Sequence, residues 1–208
     1  MKKIAVIVLL TGLFSITSLA QVPVKWNVGS GRIESVFKSA KNIKSTSFDG
    51  YYVGAGAEIA LPVSYLSVFA SANWDYKNFK SPAAVEFKAH YLRIPVQIKY
   101  TFGLGKVLEV YVAAGPSFNI GLFGSDFTAL NNLIYTMPIT PEVTNKDIFG
   151  DNGMKRFFVQ GGISAGVIAL SHYELRVGYE YGLSDASNLP YCDANRVHAL
   201  TFGVGYWF

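Results

Sequence analysis

From residue 51 onward the chain alternates apolar and non-apolar positions one for one, the period of a strand whose two faces meet different surroundings. Tyr51, Val53, Ala55, Ala57, Ile59 and Leu61 alternate with Tyr52, Gly54, Gly56, Glu58 and Ala60. The same pattern runs over Leu66 to Tyr76, Leu92 to Phe102, Leu108 to Leu122, Phe157 to Val167, Tyr173 to Leu183 and His198 to Phe208. It predicts seven strands and a weaker eighth over Lys25 to Ile33, where Trp26 and Val28 oppose Asn27, Gly29 and Gly31. Arg32 breaks the phase there and predicts a bulge or an early strand end. No helical periodicity appears.

The connections alternate in length. Pro62-Val63-Ser64, Gly103-Leu104-Gly105-Lys106 and Leu170-Ser171-His172 are tight turns; Glu34 to Asp49, Lys77 to Val85, Phe123 to Lys155 and Ser184 to Asn195 are longer polar loops. Eight antiparallel strands with short turns at one end and long loops at the other predict an all-β, up-and-down, transmembrane barrel.

The face chemistry decides between lipid and water outside. The non-apolar face is rich in Gly, Ala and Ser and carries Glu58, Asp75, Arg93, Lys99, Glu109, Glu174, Arg176 and Glu180, with Tyr65, Phe69 and Tyr111 as its bulk. A face turned to water would carry far more Lys and Glu, whereas eight strands enclose an interior just wide enough for side chains. The apolar face carries Trp74, Tyr76, Tyr179 and Tyr181 toward the loops and Tyr100, Phe102, Tyr173, Tyr206 and Phe208 toward the turns. Two such belts mark the interfaces of a membrane.

Residues 1–20 read as a signal peptide: Lys2 and Lys3, an apolar stretch from Ile4 to Phe14, and Ser18-Leu19-Ala20 as a small-residue cleavage site. The apolar stretch is too short to span the hydrocarbon as a helix. Residues 21–208 then form one barrel domain. Of 18 basic residues two sit in the leader, against 14 acidic ones, a balance too even and scattered to imply nucleic acid. Cys192 is the only cysteine, so neither an intramolecular disulfide nor a thiolate metal site is available.

The segments YLRIPVQIKYTFG (Tyr91 to Gly103), VYVAAGPSFNIGL (Val110 to Leu122), ELRVGYEYGLSD (Glu174 to Asp185) and HALTFGVGYWF (His198 to Phe208) resemble the PorT-like outer-membrane β-barrel family. The terminal Phe208 resembles the C-terminal signal that barrel-assembly machinery recognises. The resemblance implies the outer membrane of a Gram-negative bacterium, with membrane lipid and that machinery as partners. It brings no catalytic residues, and the family's namesake is linked to protein secretion.

The interior charges Glu58, Arg93, Lys99, Glu109, Glu174, Arg176 and Glu180 could be an acid/base group; they read better as a salt-bridge network, since charges cut off from water need partners. His90, His172 and His198 lie on different strands or turns, without metal-ligand spacing. A Ser–His–carboxylate site would need His198 to meet Ser184 or Asp185 at the loop rim. Gly103-Leu104-Gly105-Lys106 lacks the upstream glycine and following hydroxyl of a phosphate loop. No cofactor or metal is expected.

The loop Phe123 to Lys155 is unusually apolar, with Phe127, Leu130, Leu133, Ile134, Tyr135, Met137 and Ile139. It either folds over the barrel mouth or offers a contact surface to a partner. The sequence thus predicts a non-enzymatic outer-membrane barrel with a structural or interaction role through its extracellular loops. The alternatives are a conduit or binding site for small apolar molecules, and a membrane-embedded enzyme.

Overall fold

The computed structural model describes residues 23–38, 46–80, 86–103, 107–125, 127–129, 143–145, 148–149, 154–186 and 196–208. Eight long strands are β1 (Val24–Lys38), β2 (Thr46–Ala60), β3 (Leu66–Lys80), β4 (Glu86–Gly103), β5 (Leu108–Gly124), β8 (Phe157–Ala169), β9 (Tyr173–Gly182) and β10 (Arg196–Trp207). Two three-residue strands, β6 (Phe127–Ala129) and β7 (Val143–Asn145), pair as a small hairpin inside the long loop.

All long-strand pairings are antiparallel, and the ring β1-β10-β9-β8-β5-β4-β3-β2 closes on itself, so no long strand keeps an unpaired edge. The closing pair runs in register from Asn27↔Trp207 to Lys38↔Arg196. Phe208 N donates to Trp26 O at 2.9 Å and Trp207 N to His172 O at 2.8 Å, which ties the chain's end to the turn side. The leader proposed for residues 1–20 lies outside the described residues.

The two faces sort as the alternation requires. On β9, Tyr173, Leu175, Val177, Tyr179 and Tyr181 are exposed, while Glu174, Gly178, Glu180 and Gly182 are buried. Outer-wall residues such as Ile98, Val112, Ile163, Leu175 and Val204 are half or more exposed. A wall of Val, Ile and Leu around a polar interior inverts a water-soluble barrel and suits surrounding hydrocarbon.

Three expectations need correction. β1 does not break at Arg32. Its register with β2 and β10 is continuous to Phe37 and Lys38, and the phase holds: Ile33 and Ser35 are buried inward while Arg32 points outward. Arg32 has an outward role, pairing with Glu34 at 3.1 Å and Asp49 at 3.3 Å. The loops Glu34 to Asp49 and Lys77 to Val85 are shorter than expected, because β1 to β4 extend past the apolar band. Where both faces can carry polar residues, the ladder persists but the alternation that announces it disappears. Tyr65 is no lumen residue: it is 66% exposed in the β2–β3 turn, with φ 69°, and its ring lies 6.1 Å from Tyr100.

Candidate functional site: the lumen and its mouths

The alternation aims one side chain in two inward, and eight strands leave these side chains only enough room to fill the interior. They form three layers. Nearest the turns, Phe69, Tyr111, Ala113, Ile168 and Trp207 make a buried cluster, with Phe69 and Trp207 ring centroids 5.6 Å apart. Lys99 Nζ sits 4.4 Å from the centroids of both Tyr111 and Trp207 and donates to Glu58 Oε2 at 2.6 Å. Ser67 Oγ donates to the other Glu58 oxygen at 2.7 Å. Glu174 accepts from the Tyr111 hydroxyl and, at 3.1 Å, from Asn27 Nδ2. Glycine makes this layer possible: a Cβ on Gly166 would lie 2.6 Å from the Tyr111 ring.

The middle layer centres on Arg93. Its Nε donates to Asp75 Oδ2 at 2.8 Å and its Nη1 to Glu180 Oε1 at 2.7 Å, and its guanidinium lies 5.1 Å from the Tyr52 ring centroid. Arg176 approaches the same ring from 6.0 Å, and its Nη2 donates to Tyr52 Oη at 3.4 Å. Between them is a cavity of about 30 Å³, lined in part by Asn73, Gln97, Ser164 and Thr201. That is room for about one water. Arg93 bridges two carboxylates with one bond to each, which leaves one negative charge in excess; the Lys77 ammonium, 3.9 Å from Asp75, offsets it.

Toward the loops the lumen turns apolar again. Tyr91 and Phe158, both almost fully buried, meet edge-on at 5.7 Å. Ile148, Phe149 and Met154, from the loop before β8, pack on them with Ala89, Ala186 and Val197. Phe149 meets Tyr91 edge-on at 5.4 Å and Arg156 covers its ring from 5.3 Å. A Cβ on Gly121 would strike the Phe149 ring, so that glycine is what admits the plug. Lys77 is buried beneath it, 3.9 Å from Asp75 and 5.1 Å from the Tyr91 centroid.

Of the interior charges read from the sequence, Glu58 meets Lys99, and Arg93 meets Glu180. Glu174 and Arg176 share a face but each bonds neutral partners, and among the described residues neither is in an ion pair. Glu109 is half-exposed at the turn-side mouth, beside a hollow of about 480 Å³ that Lys25 and Glu58 also line. Sequence reasoning missed Lys77, which it left in a loop; its signal was one further step of the Asp75, Lys77 alternation. It also missed Ile148, Phe149 and Met154, whose only trace was apolar residues among Asp and Gly.

The three histidines do not converge. His172 stacks on Tyr206 and shares a hydrogen bond with Trp207 O at 2.7 Å. His90 and His198 both lie on the outer wall among aromatic rings. His198 Nδ1 is 3.2 Å from Tyr179 Oη, while Ser184 Oγ accepts from Val159 N at 2.8 Å. Leu130, Leu133, Ile134, Tyr135, Met137 and Ile139 lie outside the described residues, and so does Cys192; Phe127 is described through its backbone in β6.

The model of one family, the outer membrane protein beta-barrel domain, matches residues 6–208. No curated protein sequence matches the chain. Among solved structures, Ail, the attachment invasion locus protein of Yersinia pestis, is 13% identical with a TM-score of 0.45, covering 89% of this chain and 99% of that one. OprG from Pseudomonas aeruginosa is 12% identical, TM-score 0.47, over 90% and 97%. The outer membrane enzyme PagL is 14% identical, TM-score 0.46, over 88% and 98%. Likenesses at this level carry no argument about activity. The family match over nearly the whole chain and the closed, apolar-walled barrel lead to one conclusion: the chain belongs to the outer membrane protein beta-barrel domain family and resides in the Gram-negative outer membrane.

Proposed function

We propose that this barrel is non-enzymatic and PorT-like, keeps its lumen closed, and meets a protein partner through its extracellular loops. The observation that carries this reading is the filled lumen: two aromatic layers enclose a charge-paired middle with space for about one water. That leaves the loops as the part free to act. The four segments between Tyr91 and Phe208 support the PorT-like side. The contact surface is assigned to Phe127, Leu130, Leu133, Ile134, Tyr135, Met137 and Ile139, whose apolar character solvation does not explain. Lipid covers the outer wall. Phe208, 69% exposed at the end of the closing strand, is presented to the barrel-assembly machinery.

Replacing residues 130–142 with a short Gly-Ser link keeps the β6 and β7 strands and tests the assignment by crosslinking in intact cells. Loss of the parent's crosslinked partners from a folded barrel is expected; an unchanged partner set refutes the loop assignment. A second reading, binding of a small apolar molecule, is favoured by a groove of about 620 Å³ on the outer wall, bordered by Val110, Val167, Leu175, Val177, Phe202 and Val204. Displacement of a fluorescent fatty acid by Val177→Trp, with loop-deleted protein still binding, would support it over the first.

A further inference from the structure

The hollow of about 480 Å³ at the turn-side mouth lies below the closed lumen, on the side that faces the periplasm in such barrels. Its size falls within the ~300–1,000 Å³ common for small-ligand sites. At its inner end Glu58 gives one carboxylate oxygen to Lys99 Nζ at 2.6 Å and the other to Ser67 Oγ at 2.7 Å. Lys25, exposed, stands directly opposite Glu58 in the β1–β2 register. With both Glu58 oxygens committed, Lys25 keeps its charge for the hollow. Glu109, half-exposed on β5, has Gly103 and Ile168 as its register partners, and neither carries a charge. Among the described residues neither Lys25 nor Glu109 is in an ion pair.

The ring order sets these two charges apart. β1 and β5 are four strands from each other whichever way the barrel is followed, so Lys25 and Glu109 stand on opposite walls. Eight strands ~4.8 Å apart and tilted about 40° give a backbone-to-backbone diameter of roughly 16 Å. Once both side chains have reached inward about 10 Å remains, the length of roughly three extended residues. The β2–β3 turn supplies an apolar wall, with Val63 and Tyr65 58% and 66% exposed. Tyr65 is held at φ 69°, in the left-handed region where glycine is favoured and a bulky residue is strained. Thr101 N donates to Tyr65 O at 2.9 Å and fixes the turn in that state. Strained backbone of this kind gathers where ligands are held.

We propose that the turn-side hollow binds a short peptide of about three residues with both ends free. Its α-ammonium meets Glu109, its α-carboxylate meets Lys25, and an apolar side chain lies against Val63 and Tyr65. The opposed charges fix the direction of the peptide. A zwitterion whose charges are close together, such as phosphoethanolamine, reaches only one wall, and the end of a protein chain brings only one of the two charges. The site uses no residue of the extracellular loops.

The probe is alanyl-leucyl-alanine, titrated by isothermal calorimetry into the purified chain in phosphatidylcholine nanodiscs. Its N-acetyl and C-amide forms should each bind about fivefold more weakly, the worth of one part-exposed ion pair. Glu109→Gln should weaken the free peptide by about the same factor and leave the acetylated one unchanged; Lys25→Gln should weaken the free peptide and leave the amidated one unchanged. Tyr65→Gly relieves the turn, so it should unfold at no lower urea concentration than the parent yet bind the peptide more weakly. Phosphoethanolamine should not compete. Lys88→Gln, at the opposite end of the barrel, serves as the control and should bind as the parent does. Heat-dependent gel migration verifies that each variant is folded. No binding by the folded parent, equal affinity for free and capped peptides, a loss in Glu109→Gln that is the same for free and acetylated peptide, or competition by phosphoethanolamine would each overturn the proposal. Protein with residues 130–142 replaced should bind as the parent does, which separates this test from that of the loops.

Discussion

Removing Arg93 puts the lumen chemistry under the most direct strain. Arg93 is 5% exposed, and its guanidinium holds Asp75, fully buried, at 2.8 Å and Glu180, 6% exposed, at 2.7 Å. Arg93→Met keeps the volume but leaves two carboxylates behind. Asp75 retains Lys77 at 3.9 Å, so Glu180 becomes the uncompensated charge. Breaking a buried pair from one side costs about 3–5 kcal/mol, and the variant should lose that much. Glu180→Gln leaves Arg93 its bond to Asp75 and should cost less, about 1.5–3 kcal/mol for a hydrogen bond to a charged group. The double variant Arg93→Met with Glu180→Gln removes the orphan and should be more stable than Arg93→Met alone, a coupling of about 1–3 kcal/mol. Urea unfolding in lipid vesicles, followed by tryptophan fluorescence, gives the midpoints at matched slope. Arg93→Met as stable as the parent, or a double variant whose loss is the sum of the two singles, would refute the network.

Val177 is 42% exposed on the outer wall, so Val177→Arg should cost about 2–4 kcal/mol in the same assay. Gly178→Ala next to it faces the lumen, where the new Cβ meets Thr201 Oγ1 at 2.7 Å; its cost, about 1–3 kcal/mol, comes from crowding and should not depend on bilayer thickness. A penalty for Val177→Arg that vanishes in bilayers would reverse the face assignment. For topology, both termini belong on the turn side, which is periplasmic in such barrels. A membrane-impermeant thiol reagent should label Cys192, between β9 and β10, on intact cells, whereas a tag inserted at Gly105, between β4 and β5, should stay hidden. The opposite result inverts the barrel.

The sequence exposes what the membrane constrains. Where one face meets hydrocarbon and the other a narrow lumen, as over Leu92 to Phe102 or Tyr173 to Leu183, alternation is compulsory and the strands can be read directly. Beyond the apolar band that constraint ends. Glu34 to Lys38, Thr46 to Asp49 and Lys77 to Lys80 are as much strand as the rest, yet their polar residues on either face resemble a loop. Arg32 misled for the same reason: it answers Asp49 across the outer face, a partner that becomes visible only with the β1–β2 register. Tyr65 looked inward by parity, but its φ of 69° places it in a turn, where parity has no meaning. The network was legible as a set of charges and not as pairs: Arg93 reaches Asp75 on the neighbouring strand β3, but its second partner, Glu180 on β9, lies across a lumen that only barrel closure creates. The plug was least legible, since Ile148 and Phe149 fit a pocket composed by Gly121, Tyr91 and Phe158 from three other segments.

The central claim is a lumen closed twice, by Tyr91, Phe149 and Phe158 toward the loops and by Phe69, Tyr111 and Trp207 toward the turns. Conductance of the purified chain in a planar bilayer tests it most directly, compared with Phe149→Ala, with Trp207→Ala and with the two combined. The parent and both single variants should show no steady open state, and the combined variant should conduct little more, because the layer of Arg93, Asp75 and Glu180 still fills the middle with room for about one water. A large, stable conductance in the parent, or in Phe149→Ala alone, would contradict the closed barrel and the function built on it.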